Sequence, residues 1–273
     1  MIIDWKKIAE KIFEELKQKI KNSWKKYKLT VILVWKNSPS LRYIKQKEKW
    51  ANYVWIEFNL LEFDDNISEE KLISEIKKLN TNKEVTAFMV QLPLPKHINS
   101  EKIIENISPE KDADWFSPVN LWKVVLWDEN ALIPCTPAGI MELLKEYKIE
   151  VSWKNVTIIW RSNIVWKPVA NLLINAWATT TICNSKTKNL KYFTKNSDII
   201  ISATWSPHLL KVEMLNKNSV IIDVWFSVID KKIFWDADFK EIEKNGNLIT
   251  PVPGWVGPMT VAMLMKNTVK AGK

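Results

Sequence analysis

A chain of 273 residues is long enough for one large domain or two modest ones, each burying a core of its own. With 47% hydrophobic and 26% charged residues, and no apolar run near the roughly 20 residues of a membrane span, it reads as an ordinary soluble globular protein, neither a disulfide scaffold nor a membrane protein. The net charge of +9 favours anionic partners, but the lysines are scattered without an arginine-rich stripe or a helix-turn-helix signature, which argues against nucleic acid.

Residues 1–11 include Asp4 and Glu10 and no apolar stretch followed by small residues, so they do not form a secretion signal and a cytoplasmic location is expected. Ile8, Ile12, Phe13, Leu16 and Ile20 fall at helical spacing and predict an amphipathic helix from Asp4 to Lys21. A β-branched run from Leu29 to Val34 predicts a strand, followed by a charged helix from Leu41 to Tyr53. Phe58 to Phe63 reads as a second strand, Glu69 to Asn80 as a helix, and Ala87 to Gln91 as a third strand stopped by Pro93 and Pro95. Asp112 to Pro134 is loop-rich, and a helix from Pro137 to Tyr147 leads into a second unit. That unit restarts the alternation, with strands at Val156–Ile159, Thr179–Cys183, Ile199–Ser202, Val220–Asp223 and Leu248–Ile249, and helices near Pro168–Ala176 and Met214–Leu215. Pro258 to Val269 closes the chain as a helix expected to pack back on the first domain. Strand-helix alternation of this kind predicts an α/β protein with parallel sheets. The expected domains are 1–135, joined by 255–273, and a Rossmann-like domain over 136–254.

Cys135 and Cys183 stand far apart with no metal-ligand spacing and are expected to be buried thiols, with no metal site. Glycine is the abnormal count. Average usage of about 7% predicts roughly 19 glycines, whereas the chain has 5, beside 16 tryptophans. The tryptophans stand at turns and strand ends, where a missing Cβ is useful and a large indole is not. Trp160 and Trp166 flank a short segment after a strand, Trp255 follows Pro253-Gly254, and Trp235 precedes Asp236. Some bacteria read the UGA codon as glycine, and a translation that reads UGA as tryptophan would write such a sequence. The expectation is therefore that tryptophan here mostly records glycine.

Five segments carry the chemistry: Tyr43-Ile-Lys-Gln-Lys47, Val90-Gln-Leu-Pro-Leu-Pro95, Lys111-Asp-Ala-Asp-Trp-Phe116, Trp160-Arg-Ser-Asn-Ile-Val-Trp-Lys-Pro168 and Pro251-Val-Pro-Gly-Trp-Val-Gly-Pro-Met-Thr260. Together, in this order and spacing, they resemble the bifunctional methylenetetrahydrofolate dehydrogenase/cyclohydrolase family from about Leu29 to Thr268. In that family's pattern glycine stands at 115, 122, 160, 166, 205, 225 and 255, all Trp here.

Tyr43 and Lys47, four residues apart, share one helix face and can converge on one ligand atom. Taken alone, Lys47 is one of four lysines between residues 36 and 49 and reads as a solvated charge. The resemblance implies instead a general acid/base, with Tyr43 positioning the substrate. Gln91 ends an apolar strand, where its amide can bond a lysine and shift its pKa or simply bond a loop backbone. The resemblance makes Asp114 the acceptor for the pterin ring. The other reading of an aspartate there is a turn former, a role that suits Asp112 better.

Read with glycine at 160 and 166, Val156 to Pro168 is a strand-turn-helix whose backbone can approach a pyrophosphate, though without the common GxGxxG spacing. The resemblance makes Trp160, Arg161 and Ser162 the family's variant of that loop. It also places Arg161 and Ser185 at the adenosine 2′-phosphate, which favours NADP over NAD, while Asn184 departs from the histidine usual there. Phe226 matches a position whose backbone contacts the nicotinamide end. An indole at Trp160 would stand where phosphate must lie.

The resemblance thus implies NADP-dependent oxidation of 5,10-methylenetetrahydrofolate and hydrolysis of the product to 10-formyltetrahydrofolate, in a cleft between two domains of a homodimer. The basic surface could draw in the anionic folate tail and cofactor phosphates, or serve only for solubility. Two other readings stand beside it: a Rossmann dehydrogenase of another small acid, which leaves Tyr43, Lys47 and Gln91 unexplained, and an inactive folate-binding relative should the tryptophans be real.

Overall fold

The structure, a computed structural model, describes residues 3–35, 38–114, 117–160, 166–230, 232–251 and 257–273. In chain order its elements are α1 (Trp5–Ser23), β1 (Tyr27–Val34), α2 (Ser38–Tyr53), β2 (Ile56–Phe63), α3 (Glu69–Thr81), β3 (Ala87–Val90), α4 (Ser100–Glu105), α5 (Pro118–Val125) and α6 (Cys135–Glu146). There follow β4 (Asn155–Trp160), α7 (Trp166–Asn175), β5 (Thr179–Cys183), α8 (Leu190–Lys195), β6 (Ile199–Ala203), a 3-10 turn at Val212–Met214, β7 (Val220–Asp223), β8 (Phe226–Ile229), β9 (Lys232–Trp235), α9 (Phe239–Lys244), β10 (Leu248–Ile249) and α10 (Gly257–Ala271). The chain divides into two compact units, Glu10–Cys135 with Thr260–Lys273, and Met1–Ala9 with Thr136–Met259.

The first unit is built on a parallel three-stranded sheet of order β2-β1-β3. β1 is central, and Val31, Ile32, Leu33 and Val34 are all buried, as a strand covered on both faces requires. Val31 pairs with Leu60 on one side and Met89 on the other. The chain beyond residue 110 adds to β3: Phe88 N donates to Lys111 O at 2.8 Å and Ala113 N to Phe88 O at 3.1 Å. From the returning helix α10, Lys270 Nζ donates to the carbonyls of Glu129 and Ala131 at 2.6 and 2.7 Å.

The second unit holds a parallel five-stranded sheet of order β10-β7-β6-β4-β5. β5 lies on one side of β4 and β6 on the other, so strand order reverses at β4, where open α/β sheets bind ligands beyond their carboxyl ends. Ile159, Ile200 and Ile221 from these strands are buried with Leu210, Leu215 and Ile242 in one cluster.

Several elements differ from expectation. The loop-rich segment contains α5, started by Pro118 at the first helical turn. The helix expected near Met214 is only a 3-10 turn, and β8 with β9 forms an antiparallel hairpin with no expected counterpart. α4 and α8, six residues each, are too short for periodicity to reveal.

Trp24, Trp35, Trp55, Trp127, Trp153, Trp177 and Trp205 have φ between 55° and 73°. This left-handed region is costly for a residue with a Cβ and free for glycine. Packing does not compensate at the extremes, since Trp24 is 95% exposed and Trp153 85%. Trp50 differs: it is helical, and its ring stacks on Phe13 with centroids 3.9 Å apart.

Candidate functional site

Lys47 projects from α2 into the interior of the first unit and is 7% exposed. Its Nζ donates to Gln91 Oε1 at 2.8 Å and lies 3.2 Å from Met89 Sδ. Gln91 is fixed from two sides: its backbone N donates to Ile32 O at 2.9 Å, continuing the β1–β3 pairing, and its Nε2 donates to Leu92 O at 2.7 Å. The amide oxygen is thereby oriented at the lysine. Burial pushes the Lys47 amine below the ordinary lysine range, and the nearby Asp114 and Cys135 pull it back up. Tyr43, one turn earlier on α2, is half-buried, and burial raises its phenol against the opposing charge of Arg42.

The two aspartates differ in setting. Asp112 is fully buried and its Oδ2 accepts from Ser117 N at 2.7 Å, so it builds the turn. Asp114 is half-exposed and lies near enough to act on both Lys47 and Cys135. The sequence reading gave Cys135 no place beside this group. It is buried at the start of α6, its Sγ is 3.5 Å from Ala113 O, and burial pushes its thiol well up, with Asp114 adding to the effect. Asn267 of α10 was also missed; its Nδ2 donates to Ala113 O at 3.0 Å and Ile133 O at 2.8 Å, tying together the two segments that present Asp114 and Cys135. No local motif announces either residue, because each acts through loop carbonyls distant in sequence.

In the second unit, a pocket of about 330 Å³ opens beyond the carboxyl ends of β4, β5 and β6. Trp160, Asn184, Ser185, Thr187, Thr204 and Ser206 line it. β5 ends at Cys183, so Ser185 sits in the turn beyond it rather than in the strand. That turn is shaped by Asn184 N donating to Thr187 Oγ1 and Lys186 N donating to Asn184 Oδ1, both at 2.9 Å. Hydroxyls and backbone at a switch point suit a nucleotide, and no carboxylate stands among the described lining residues to repel a phosphate. Trp160 is the residue that does not suit one. Arg161 and Ser162 lie outside the described residues, as does the side chain of Phe226, whose backbone begins β8. The structure thus brings Lys47, Gln91 and Asp114 together in one unit, and Trp160 and Ser185 together in the other.

The chain is similar to known proteins along its whole length. The family model for the tetrahydrofolate dehydrogenase/cyclohydrolase catalytic domain matches residues 3–114, and that for the NAD(P)-binding domain of the same family matches residues 134–273. The bifunctional protein FolD of Campylobacter hominis is 47% identical, covering 100% of this chain and 97% of that protein. Among solved structures, the bifunctional methylenetetrahydrofolate dehydrogenase/cyclohydrolase of Campylobacter jejuni superposes with a TM-score of 0.95 at 41% identity, over 100% of this chain and 98% of that one. The Trypanosoma brucei methylenetetrahydrofolate dehydrogenase-cyclohydrolase, solved with NADP and an inhibitor, gives a TM-score of 0.91 at 32% identity, over 100% and 97% of the two chains.

Proposed function

The chain belongs to the tetrahydrofolate dehydrogenase/cyclohydrolase family, and we propose that Lys47, Tyr43, Gln91 and Asp114 carry its chemistry while Trp160, Arg161, Ser162, Ser185 and Phe226 stand at the cofactor. The reactions are oxidation of 5,10-methylenetetrahydrofolate with NADP and hydrolysis of the methenyl product to 10-formyltetrahydrofolate. Residues 1–135 with 255–273 form the folate-binding domain in this reading, and residues 136–254 the NADP-binding domain.

The observation that carries the assignment is the buried Lys47 held at 2.8 Å by Gln91. A lysine removed from water sheds its proton more readily than one in solvent, and the neutral amine can take a proton from the water that attacks the methenyl carbon. Gln91 keeps the amine in one rotamer and offers only a dipole, so it orients Lys47 without locking it as an ammonium. Asp114, free of the turn duty that Asp112 performs, accepts from the pterin ring, and Tyr43 fixes the substrate from the preceding turn of α2. NADP, when bound, supplies the hydride acceptor. Ser185 and Arg161 would hold its 2′-phosphate. The function belongs to the chain with glycine at 160 and 166. The left-handed tryptophans support reading the other turn positions as glycine also.

No helix among the described residues is long and apolar enough to cross a membrane, and a cytoplasmic homodimer that binds neither membrane nor nucleic acid completes the proposal. The deciding assay follows NADPH formation with methylenetetrahydrofolate, then loss of the methenyl absorbance. NADPH formation only with another small hydroxy acid would favour a different dehydrogenase, and folate binding without turnover an inactive relative.

A further inference from the structure

The pocket at β4 and β6 has one wall whose shape depends on a residue outside it. Beyond β6 the chain runs Thr204-Trp205-Ser206, with Trp205 left-handed at φ 56° and Thr204 and Ser206 lining the pocket. A turn of this shape aims the N–H groups on either side of residue 205 the same way, and both meet the carboxylate of Asp236. Thr204 N donates to Oδ2 at 2.5 Å and Ser206 N to Oδ1 at 2.9 Å, while Ser202 Oγ, from the last turn of the strand, donates to Oδ2 at 2.9 Å. Asp236 is 1% exposed. It reaches this place because β9 ends beside the loop: His208 N donates to Trp235 O at 3.0 Å, and Leu210 N to Asp236 O at 2.9 Å.

A buried carboxylate is costly unless its oxygens are filled, and here all three donors come from one five-residue stretch. The acceptor and the loop therefore determine one another: the loop holds this shape because it satisfies Asp236. Asp223 lies close by. It is fully buried, its Oδ1 has no hydrogen-bond partner among the described residues, and burial together with the charge of Asp236 pushes its carboxyl well above the usual range.

We infer that Asp236 is a positioning residue for NADP, which sets the β6 loop as a wall of the cofactor pocket without touching the cofactor. The inference rests on the NADP-binding reading of this pocket. Asp236→Asn is the discriminating variant, since an amide replaces one accepting oxygen by a donor and must leave one of the three donors unmatched. The protein to use is the full chain with UGA read as glycine, and the two readouts are NADP affinity by calorimetry and the cyclohydrolase rate on methenyltetrahydrofolate, which consumes no NADP. The expected result is NADP binding weakened about ten-fold, with the cyclohydrolase rate and the KM for folate unchanged. Unchanged NADP affinity overturns the inference, and so does an equal loss of both activities, which would mark a purely structural role. Should Asp236→Asn fail to fold, Ser202→Ala removes one donor and is expected to weaken NADP about three-fold with the cyclohydrolase rate intact; no change in affinity overturns the inference. A parent chain that hydrolyses methenyltetrahydrofolate but does not bind NADP overturns the cofactor reading and this inference with it.

Discussion

The indoles of Trp205 and Trp225 meet edge to face, with ring centroids 5.9 Å apart and planes at 80°. Trp205 follows the end of β6 and Trp225 the end of β7, so the pair occupies the rim from which a parallel sheet binds its ligand. Both are glycine in the family pattern, as are Trp160 and Trp166. The indole of Trp160 lines the pocket beyond β4 and takes up space there that glycine would leave open. Replacing the four by glycine (Trp160→Gly, Trp166→Gly, Trp205→Gly and Trp225→Gly) is expected to tighten NADP binding by at least about ten-fold, measured by calorimetry. Equal affinity for the two versions would refute the argument about the loop. The intact mass of the protein from its own host is the companion measurement, because each glycine lowers the mass by the difference between the two residues.

Trp153 isolates the backbone effect from the ligand. It is left-handed at φ 63° and almost wholly in solvent, so it has strain to lose and little packing to forfeit. Trp153→Gly is expected to stabilise the second unit by about 1 kcal/mol, against the usual cost of introducing glycine. Urea denaturation checks it, and a lower midpoint in the variant would contradict the strain argument.

Gln91→Glu tests the tuning of Lys47. A carboxylate in place of the amide, 2.8 Å from Nζ, favours the charged amine and so raises its pKa. If hydrolysis uses the neutral amine, as proposed, the rising limb of the cyclohydrolase pH profile is expected to move up by about one unit, with the rate at neutral pH down about ten-fold. Lys47→Met sets the floor, at a loss of about 100-fold or more. A profile that does not move in Gln91→Glu would remove Lys47 from the proton transfer.

Asp223 predicts a pH dependence of stability. Its folded pKa lies well above the unfolded value, so between the two the native state holds a proton that the unfolded chain has released. The contribution is whole below about pH 4 and is lost as pH rises through the folded pKa. Asp223→Asn cannot release a proton, and its stability is expected to fall less than the parent's between acid and neutral pH, measured by denaturant midpoints across that range. Parallel curves would mean that Asp223 does not titrate on unfolding.

The sequence made most of the sheets legible because buried parallel strands are short β-branched runs, as in Thr30 to Val34 and Ile199 to Ile201. The β8–β9 hairpin escaped, since its strands are only four residues each, without a clean alternation, and the turn carries no glycine. At the site, helical spacing put Tyr43 and Lys47 on one face but left Lys47 a solvated charge, and a strand end left Gln91 open between a lysine and a loop backbone; the family resemblance singled both out. Cys135, Asn267 and Asp236 were not legible, for a common reason. Each is placed by backbone N–H or C=O groups of loops far away in sequence, and a sequence shows side chains rather than the directions of peptide groups.

The left-handed tryptophans also bear on where the gene can be read. If those codons are UGA, a cell that treats UGA as a stop releases its product at Trp24 at the latest. What remains is the segment ending at Ser23, a lone amphipathic helix with no strand to cover its apolar face. Such a helix is marginal in water and a ready target for proteolysis. On that reading, such a host would stop the chain before β1 and make no enzyme.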